Sequence, residues 1–150
     1  YRQMLAVTTQ LNVVGPSLAA HDGVHAMTDV TGFGLLGHLA EVCRGSGCAA
    51  HIAFAALPIL PAAGTLAQEG YNTGAAARNW ASYGHQVTLA DDLAPWQKAL
   101  LCDPQTSGGL LVCCTAQAIP EVLSLFHAAG FGDAGVVGEM RQGGVHITVE

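Results

Sequence analysis

The sequence is poor in charge, and above all in positive charge. Charged residues make up 11% of the 150 residues, only five of them are Lys or Arg, and the formal net charge is −6. Proteins that bind nucleic acid or anionic membranes electrostatically need clustered basic side chains. The composition therefore predicts neither partner, and a bound polyanion must be held by metal ions, backbone amides and single cations.

Long apolar runs and paired cysteines are also missing. The longest strongly apolar runs, near Leu110–Cys114 and residues 53–60, fall well short of the roughly 18 residues of a membrane span, and no segment resembles a signal peptide. The five cysteines show no CxxC pair, and an odd count with one vicinal pair is a poor disulfide framework. We expect buried thiols in a reducing cytoplasm, with a redox or metal role as the alternative.

What the sequence does contain is apolar residues in periodic patterns, at 51% of the chain. This content favours one packed domain over disorder. The patterns predict an α+β fold in which a mixed or antiparallel sheet is layered with helices. Helices are predicted over residues 1–20 with an end near Gly15-Pro16, and over residues 33–45, 62–69, 95–101 and 116–129. Strands are predicted over residues 23–28, 50–55, 85–89 and 110–114, with a final hairpin of residues 134–140 and 145–149, while residues 72–84 fit no clear pattern.

The stretch MTDVTGFG follows the first predicted strand and opens a helix. Such a junction exposes free N–H groups and the positive end of the helix dipole, which suit a phosphate oxygen. Gly32 and Gly34 let the backbone approach a ligand, and Thr28 and Thr31 add hydroxyls. Asp29 supplies the hard oxygen that Mg²⁺ prefers. The alternative is that Asp and Thr merely cap the helix and the glycines form a tight turn. A P-loop is excluded because no GK[ST] ending is present.

The stretch CDPQTSGG precedes the apolar strand Leu110–Cys114 and has similar chemistry. Pro104 favours an extended conformation at Asp103. Thr106 and Ser107 offer hydroxyls, and the glycine pair that begins at Gly108 leaves the backbone amides accessible to a ligand. Turns of this composition are common, so an ordinary turn is the alternative reading.

A third candidate is Arg78 with the adjacent Asn79. An arginine can bind a phosphate through two parallel hydrogen bonds, but it can equally form a surface ion pair. His21, His25 and His38 are candidate ligands or proton carriers, and the alternative for each is an ordinary polar or capping role.

Three blocks of the sequence together resemble the selenophosphate synthetase (selenide, water dikinase) family. They are GVHAMTDVTGFGLLGHLAE at residues 23–41, RN followed by ASYGH at residues 78–85, and LCDPQTSGGLL at residues 101–111. The similarity runs over essentially the whole chain. That family is similar to aminoimidazole ribonucleotide synthetase, thiamine monophosphate kinase and a hydrogenase maturation factor.

The resemblance implies that residues 1–150 are a single C-terminal domain with the fold of the aminoimidazole ribonucleotide synthetase C-terminal domain. The N-terminal ATP-binding domain, with the catalytic Cys or selenocysteine, its neighbouring Lys and further metal-binding Asp residues, lies outside this chain. No catalytic residue is therefore expected here, and the chain alone is expected to be inactive. The implied partners are its own N-terminal domain, ATP and selenide, and a second copy in a full-length homodimer.

The implied reaction converts ATP, selenide and water into selenophosphate, AMP and phosphate with Mg²⁺, in the cytoplasm, for selenocysteine and selenouridine synthesis. Asp29 matches a magnesium ligand of the family. Ala76 stands where the family often has a hydroxyl residue. A non-catalytic binding or dimerisation module, or a related synthetase or kinase with another acceptor, remains an alternative. The implied ATP-binding residues are Thr28, Thr31, Gly32, Gly34, Arg78, Asn79, Thr106, Ser107 and Gly108.

Overall fold

A computed structural model describes residues 2–150 of the chain. Short 3-10 turns aside, these residues form seven helices and six strands. In chain order they are α1 (Arg2–Thr9), α2 (Gly15–Ala19), β1 (Val24–Asp29), α3 (Gly34–Ser46), β2 (Cys48–Ile52), α4 (Pro61–Gln68), α5 (Gly74–Tyr83), β3 (Val87–Leu89), α6 (Pro95–Leu101), β4 (Leu110–Cys114), α7 (Ile119–Ala128), β5 (Gly138–Gln142) and β6 (Ile147–Val149).

The strands form two separate sheets. The larger has the order β3-β6-β2-β5, in which β6 runs parallel to both β3 and β2 while β5 is antiparallel to β2. The smaller is an antiparallel ribbon of β1 and β4. The predicted α+β class with a mixed sheet is confirmed.

Helix α3 is central to the main hydrophobic core. Leu36, Leu39, Ala40 and Cys43 recur at helical spacing and are at most 2% exposed, and they pack with residues of β2, β6, α5 and α6. Burying each leucine is worth about 1.5–3 kcal/mol. The helix ends at Gly47, whose φ of 63° is left-handed, a conformation that glycine adopts readily at helix ends.

The β1–β4 ribbon lies between this core and a second one. The second core joins α2 to α7 through buried side chains such as Leu18 and Phe126. Along β4, Leu110 and Val112 pack against the second core, while Leu111 packs against the first. Successive side chains of a strand point to opposite faces, so each core packs against one face of the ribbon. This packing fixes the position of the loops at the end of the ribbon.

Two predictions near the chain ends are wrong. Pro16 begins α2 at the first helical turn, where its missing N–H costs nothing, and residues 10–14 are not helical. The final strands β5 and β6 do not form a hairpin, because β2 separates them in the sheet. Residues 72–84, which fit no clear pattern in the sequence, contain α5. Within residues 2–150 no helix has both the length and the apolar character needed to span a membrane.

Candidate functional site

The antiparallel pairing of β1 with β4 brings the two candidate stretches together. Asp29, at the end of β1, is paired with Leu110 at the start of β4. We call residues 29–34 the first loop and residues 103–109 the second loop. The N–H of Val30 donates to the carbonyl of Gly109 at 2.9 Å, and the N–H of Gln105 donates to the carbonyl of Thr31 at 3.0 Å. The two loops therefore form one structural unit, which we call the double-loop site.

Two of the predicted glycines lie where the loops touch. A Cβ on Gly108 would overlap the carbonyl group of Val30, so a side chain cannot fit there. Gly34 has a left-handed φ of 68°, and a Cβ on it would lie 2.6 Å from the backbone carbonyl carbon of Cys102. Gly32, in contrast, is exposed, and a Cβ built on it would meet nothing within 4 Å.

Asn79, which lies on α5, connects the first loop to the residue that directly precedes the second loop. Its side-chain amide donates to the carbonyl of Gly32 at 2.9 Å and to the carbonyl of Cys102 at 3.0 Å. Both amide hydrogens are thus used in holding the first loop against the residue that precedes the second. The hydroxyl of Tyr83, one turn further along α5, donates to the carbonyl of Phe33 at 2.7 Å. Helix α5 therefore positions the backbone of the first loop.

Sequence reasoning missed two residues that hold the second loop. The Thr73 hydroxyl donates to the Asp103 carboxylate at 2.9 Å and accepts from the N–H of Ala76, so it also caps α5. A Thr directly before a helix is a recognised capping signal, and it could have located the start of α5. Asn12 donates to the carbonyl of Gly108 at 3.0 Å. These residues are 96 positions apart, and no local sequence pattern predicts their contact.

Asp29 and Thr31 do not cap α3, because its N-cap residue is Phe33 and forms no side-chain capping bond. The Asp29 carboxylate is exposed, and within residues 2–150 it forms no ion pair and accepts no hydrogen bond. A free hard oxygen at this position fits Mg²⁺, which takes one or two protein carboxylates together with phosphates and water. No cluster of three or more His, Cys, Asp or Glu side chains in the described part of the chain could hold a metal by itself.

Both loops carry unused backbone donors. Among residues 2–150 the N–H groups of Gly32, Phe33, Thr106 and Ser107 donate to no protein acceptor. The first pair lies at the N-terminus of the 13-residue helix α3, where the helix dipole favours negative charge. Ser107 has a left-handed φ of 53°, which is an uncommon conformation for a non-glycine residue and is concentrated at functional sites. The double-loop site can therefore donate hydrogen bonds to an anion while Asp29 faces a cation.

The remaining predicted residues differ in how they relate to the loops. Thr106 and Ser107 are exposed on the second loop, and Thr28 donates to the carbonyl of Asp29 at 3.0 Å. Arg78 is exposed on α5 and forms no ion pair within the described residues, so the alternative of a surface ion pair is not observed there. Ala76 is buried in the main core, away from solvent.

The cysteines and histidines mostly have structural roles. Burial raises the pKa of the Cys43, Cys102, Cys113 and Cys114 thiols, which keeps them in the unreactive protonated form. His21 accepts the N–H of Gly23 in a turn and pairs with Glu121. The exception among the histidines is His38, which contacts the first loop.

The sequence pattern of the family described as AIR synthase related protein, C-terminal domain, matches residues 3–150. The chain belongs to this family.

Among individual relatives, a protein named selenide, water dikinase from Dechloromonas aromatica (strain RCB) is 56% identical over 99% of this chain, and the match covers 43% of that protein. Proteins of the same name from Pseudomonas straminea and Rhizobium meliloti (strain 1021) are 54% and 48% identical over 99% of the chain. The chain thus spans less than half the length of these curated relatives.

Solved structures show the same fold. A crystal structure of E. coli HypE, a hydrogenase maturation protein, matches 91% of this chain and 35% of its own with a TM-score of 0.64. The sequence identity of that pair is 19%, so the similarity concerns the fold alone.

Proposed function

We propose that this chain is the C-terminal domain of an ATP-dependent selenophosphate synthetase, and that the double-loop site forms one wall of its Mg²⁺–ATP phosphate site. One observation carries the proposal: three blocks that are far apart in the sequence, and that each resemble this family, are in contact in the fold. The first and second loops share hydrogen bonds. The side-chain amide of Asn79, in the remaining block, donates to the carbonyl of Gly32 in the first loop and to the carbonyl of Cys102, which directly precedes the second loop. The similarity to selenide, water dikinases over 99% of the chain supports the same proposal.

The proposed reaction transfers a phosphoryl group of ATP to selenide and, with water, yields selenophosphate, AMP and phosphate. Phosphoryl transfer requires mainly positioning and neutralisation of charge. When bound, Mg²⁺ would supply most of that neutralisation. Asp29 holds the cation from the side of this domain, since its carboxylate has no competing partner within residues 2–150.

The anion is bound by backbone donors and by one cation. The free N–H groups of Gly32, Phe33, Thr106 and Ser107 donate to phosphate oxygens, with the dipole of α3 behind the first pair. The hydroxyls of Thr28, Thr106 and Ser107 contribute further polar contacts, and Arg78 offers the only predicted positive charge among the site residues. Asn79 acts on the backbone rather than on the ligand, because both of its amide hydrogens are already donated.

The rest of the catalytic machinery belongs, in this proposal, to an N-terminal domain outside residues 1–150. That domain supplies the nucleophile and further carboxylates, so the chain by itself carries no complete active site and does not turn over. Full-length relatives that are more than twice as long as the matched region support this division. A homodimeric state of the whole protein and a cytoplasmic location belong to the same proposal, and the five free thiols support the latter.

The test compares the full-length protein that contains this chain with its Asp29→Asn variant. Each is given ATP, Mg²⁺ and selenide without oxygen, and phosphorus NMR follows the products. We expect selenophosphate and AMP from the unmodified protein and a loss of at least about 100-fold in the variant, because an amide is a much weaker Mg²⁺ ligand than a carboxylate. Asp133→Asn, at an exposed carboxylate in a turn outside both loops, is the matched control and should keep full activity.

Other outcomes would assign other functions. If the unmodified protein makes no selenophosphate but consumes ATP with another acceptor, a related synthetase or kinase takes the place of this proposal. If it consumes no ATP at all, a binding or dimerisation module does. If only the Asp29→Asn variant behaves unexpectedly and remains active, the reaction stands and the metal role of Asp29 is overturned.

A further inference from the structure

His38 connects the first loop to the interior of α3. Its imidazole is buried, at 7% exposure for the residue. Its Nε2 lies 3.2 Å from the Oγ1 of Thr31, which is within hydrogen-bond distance. The ring of Phe33 packs beside it with a centroid separation of 5.7 Å. A buried imidazole in contact with a loop hydroxyl is chemically informative because each ring nitrogen either donates or accepts.

The surroundings of the second ring nitrogen, Nδ1, indicate which tautomer His38 adopts. Within residues 2–150, Nδ1 of His38 is buried and has no hydrogen-bond partner. The nearest charged group is the Glu41 carboxylate, one helical turn further on, with its Oε2 3.7 Å away. A lone pair on Nδ1 would face this negative charge and be repelled, whereas an N–H would be attracted. The Glu41 side chain is 53% exposed, so a small rotation can bring it into hydrogen-bond contact.

We propose that Glu41 holds His38 in the Nδ1–H tautomer, so that His38 accepts the hydroxyl hydrogen of Thr31 and makes the Thr31 oxygen a pure acceptor. His38 is thus a positioning residue that acts through Thr31. The backbone of Thr31 is fixed as well, since its carbonyl accepts from the N–H groups of both Gly34 and Gln105. A hydroxyl with only lone pairs to offer suits a cation or a water molecule bound to a cation, and not a phosphate oxygen.

This inference rests on the proposed function for the identity of the cation, but its first test does not. Nitrogen NMR of the histidine rings in the 150-residue chain, at mildly alkaline pH, reports directly which nitrogen carries the proton. We expect a protonated Nδ1 and an unprotonated Nε2 for His38. A protonated Nε2, alone or together with Nδ1, would overturn the proposal.

The Glu41→Ala variant tests the cause of the tautomer. Without the carboxylate, the fraction of His38 protonated at Nδ1 should fall, while Glu121→Ala, which removes the partner of His21, should leave the His38 resonances unchanged. An unchanged tautomer in folded Glu41→Ala would contradict the role of Glu41. If Glu41→Ala does not fold, the resonances of the unmodified chain still decide which nitrogen is protonated.

The second test measures the dependence of the full-length enzyme on Mg²⁺. Thr31→Val removes the acceptor, and His38→Leu frees the hydroxyl hydrogen, so both should raise the Mg²⁺ concentration for half-maximal rate by about 10-fold. Thr31→Ser keeps the hydroxyl and should recover most of the Mg²⁺ affinity that Thr31→Val loses, while Thr65→Val, at an exposed threonine of α4 outside both loops, should match the unmodified enzyme. A merely structural role would lower the rate of all the damaged variants without moving the Mg²⁺ requirement, and that result would overturn the proposal. An unmodified protein without selenide-dependent turnover would instead refute the proposed function and leave the NMR result intact.

Discussion

Gly108 rests directly against the carbonyl group of Val30, at a point where no side-chain carbon can fit. The contact joins two loops that are separated by 68 residues in the sequence. We therefore expect Gly108→Ala to force the loops apart and to lower the free energy of unfolding by about 1–3 kcal/mol. Chemical denaturation measures the loss. The neighbouring Gly109→Ala is the control, because its Cβ would meet nothing within 4 Å, and it should change stability by less than about 0.5 kcal/mol.

Asn79 should be a determinant of loop order as well as of stability. Asn79→Ala removes two hydrogen bonds to loop carbonyls, each worth about 0.5–1.5 kcal/mol. We expect faster hydrogen exchange at the N–H groups of Val30 and Gln105, which join the loops. Asn72→Ala, at an exposed position just before α5, should leave both rates unchanged. Equal exchange rates in folded Asn79→Ala would show that α5 does not hold the loops together.

Thr73 should stabilise both α5 and the second loop. Thr73→Ala removes the helix cap at a cost of about 1 kcal/mol, and it also frees the Asp103 carboxylate. Thr73→Ser keeps the hydroxyl and should retain most of the stability. The double variant with Asp103→Ala measures the contact itself, and we expect a coupling energy of at least about 0.5 kcal/mol. Strictly additive effects would show that the Thr73–Asp103 contact contributes nothing.

The buried pair Tyr83 and Cys102 should make the domain sensitive to alkali. Burial raises the pKa of the Tyr83 hydroxyl, with the Cys102 thiol adding to the effect, and burial also raises the pKa of Cys102. In the unfolded chain these groups ionise near their ordinary pKa values of 10.0 and 9.0. The unfolded state then binds fewer protons than the folded state, so their stabilising effect is complete below about pH 9 and is lost as pH rises further.

Tyr83→Phe provides the measurement. Above about pH 10 its free energy of unfolding should fall less steeply than that of the unmodified chain, by up to about 1.4 kcal/mol per pH unit, the value for one proton. Near neutral pH the variant should be less stable, because the hydrogen bond to the Phe33 carbonyl is missing. Denaturation curves recorded across this range test both effects. Parallel pH profiles would contradict the assignment.

Much of the site could be predicted from local chemistry. Both loops could be identified from local patterns. The first lies where the strand pattern of β1 changes to the helix pattern of α3, and the second is the glycine-rich turn before β4. Glycines and the spacing of apolar residues are both visible in a short stretch of sequence. The contact between the two loops could not be predicted from periodicity, since it depends on the antiparallel pairing of β1 with β4. The same holds for Asn79 and Asn12, whose partners are distant in the sequence.

The errors have physical explanations of the same kind. Pro16 was expected to end a helix, yet its fixed φ and missing N–H suit a first helical turn equally well. The final two strands were expected to pair because neighbours in sequence often do. Instead Ile147 and Val149 are at most 2% exposed, and their strand gains two hydrogen-bonded neighbours by lying between β2 and β3. The more polar β5 occupies the edge, where exposed Glu139 and Arg141 remain in solvent.

The inner position of β6 also affects how the domain forms during synthesis. Thr148 and Ala50, which are hydrogen-bonded across β6 and β2, are 98 positions apart in the chain. At roughly 5–20 residues per second, a ribosome makes β2 several seconds before its parallel neighbour exists. During that interval the nascent chain presents an unpaired strand, the kind of surface that recruits chaperones or aggregates. Soluble yield should therefore depend on how quickly the residues between β2 and β6 are translated.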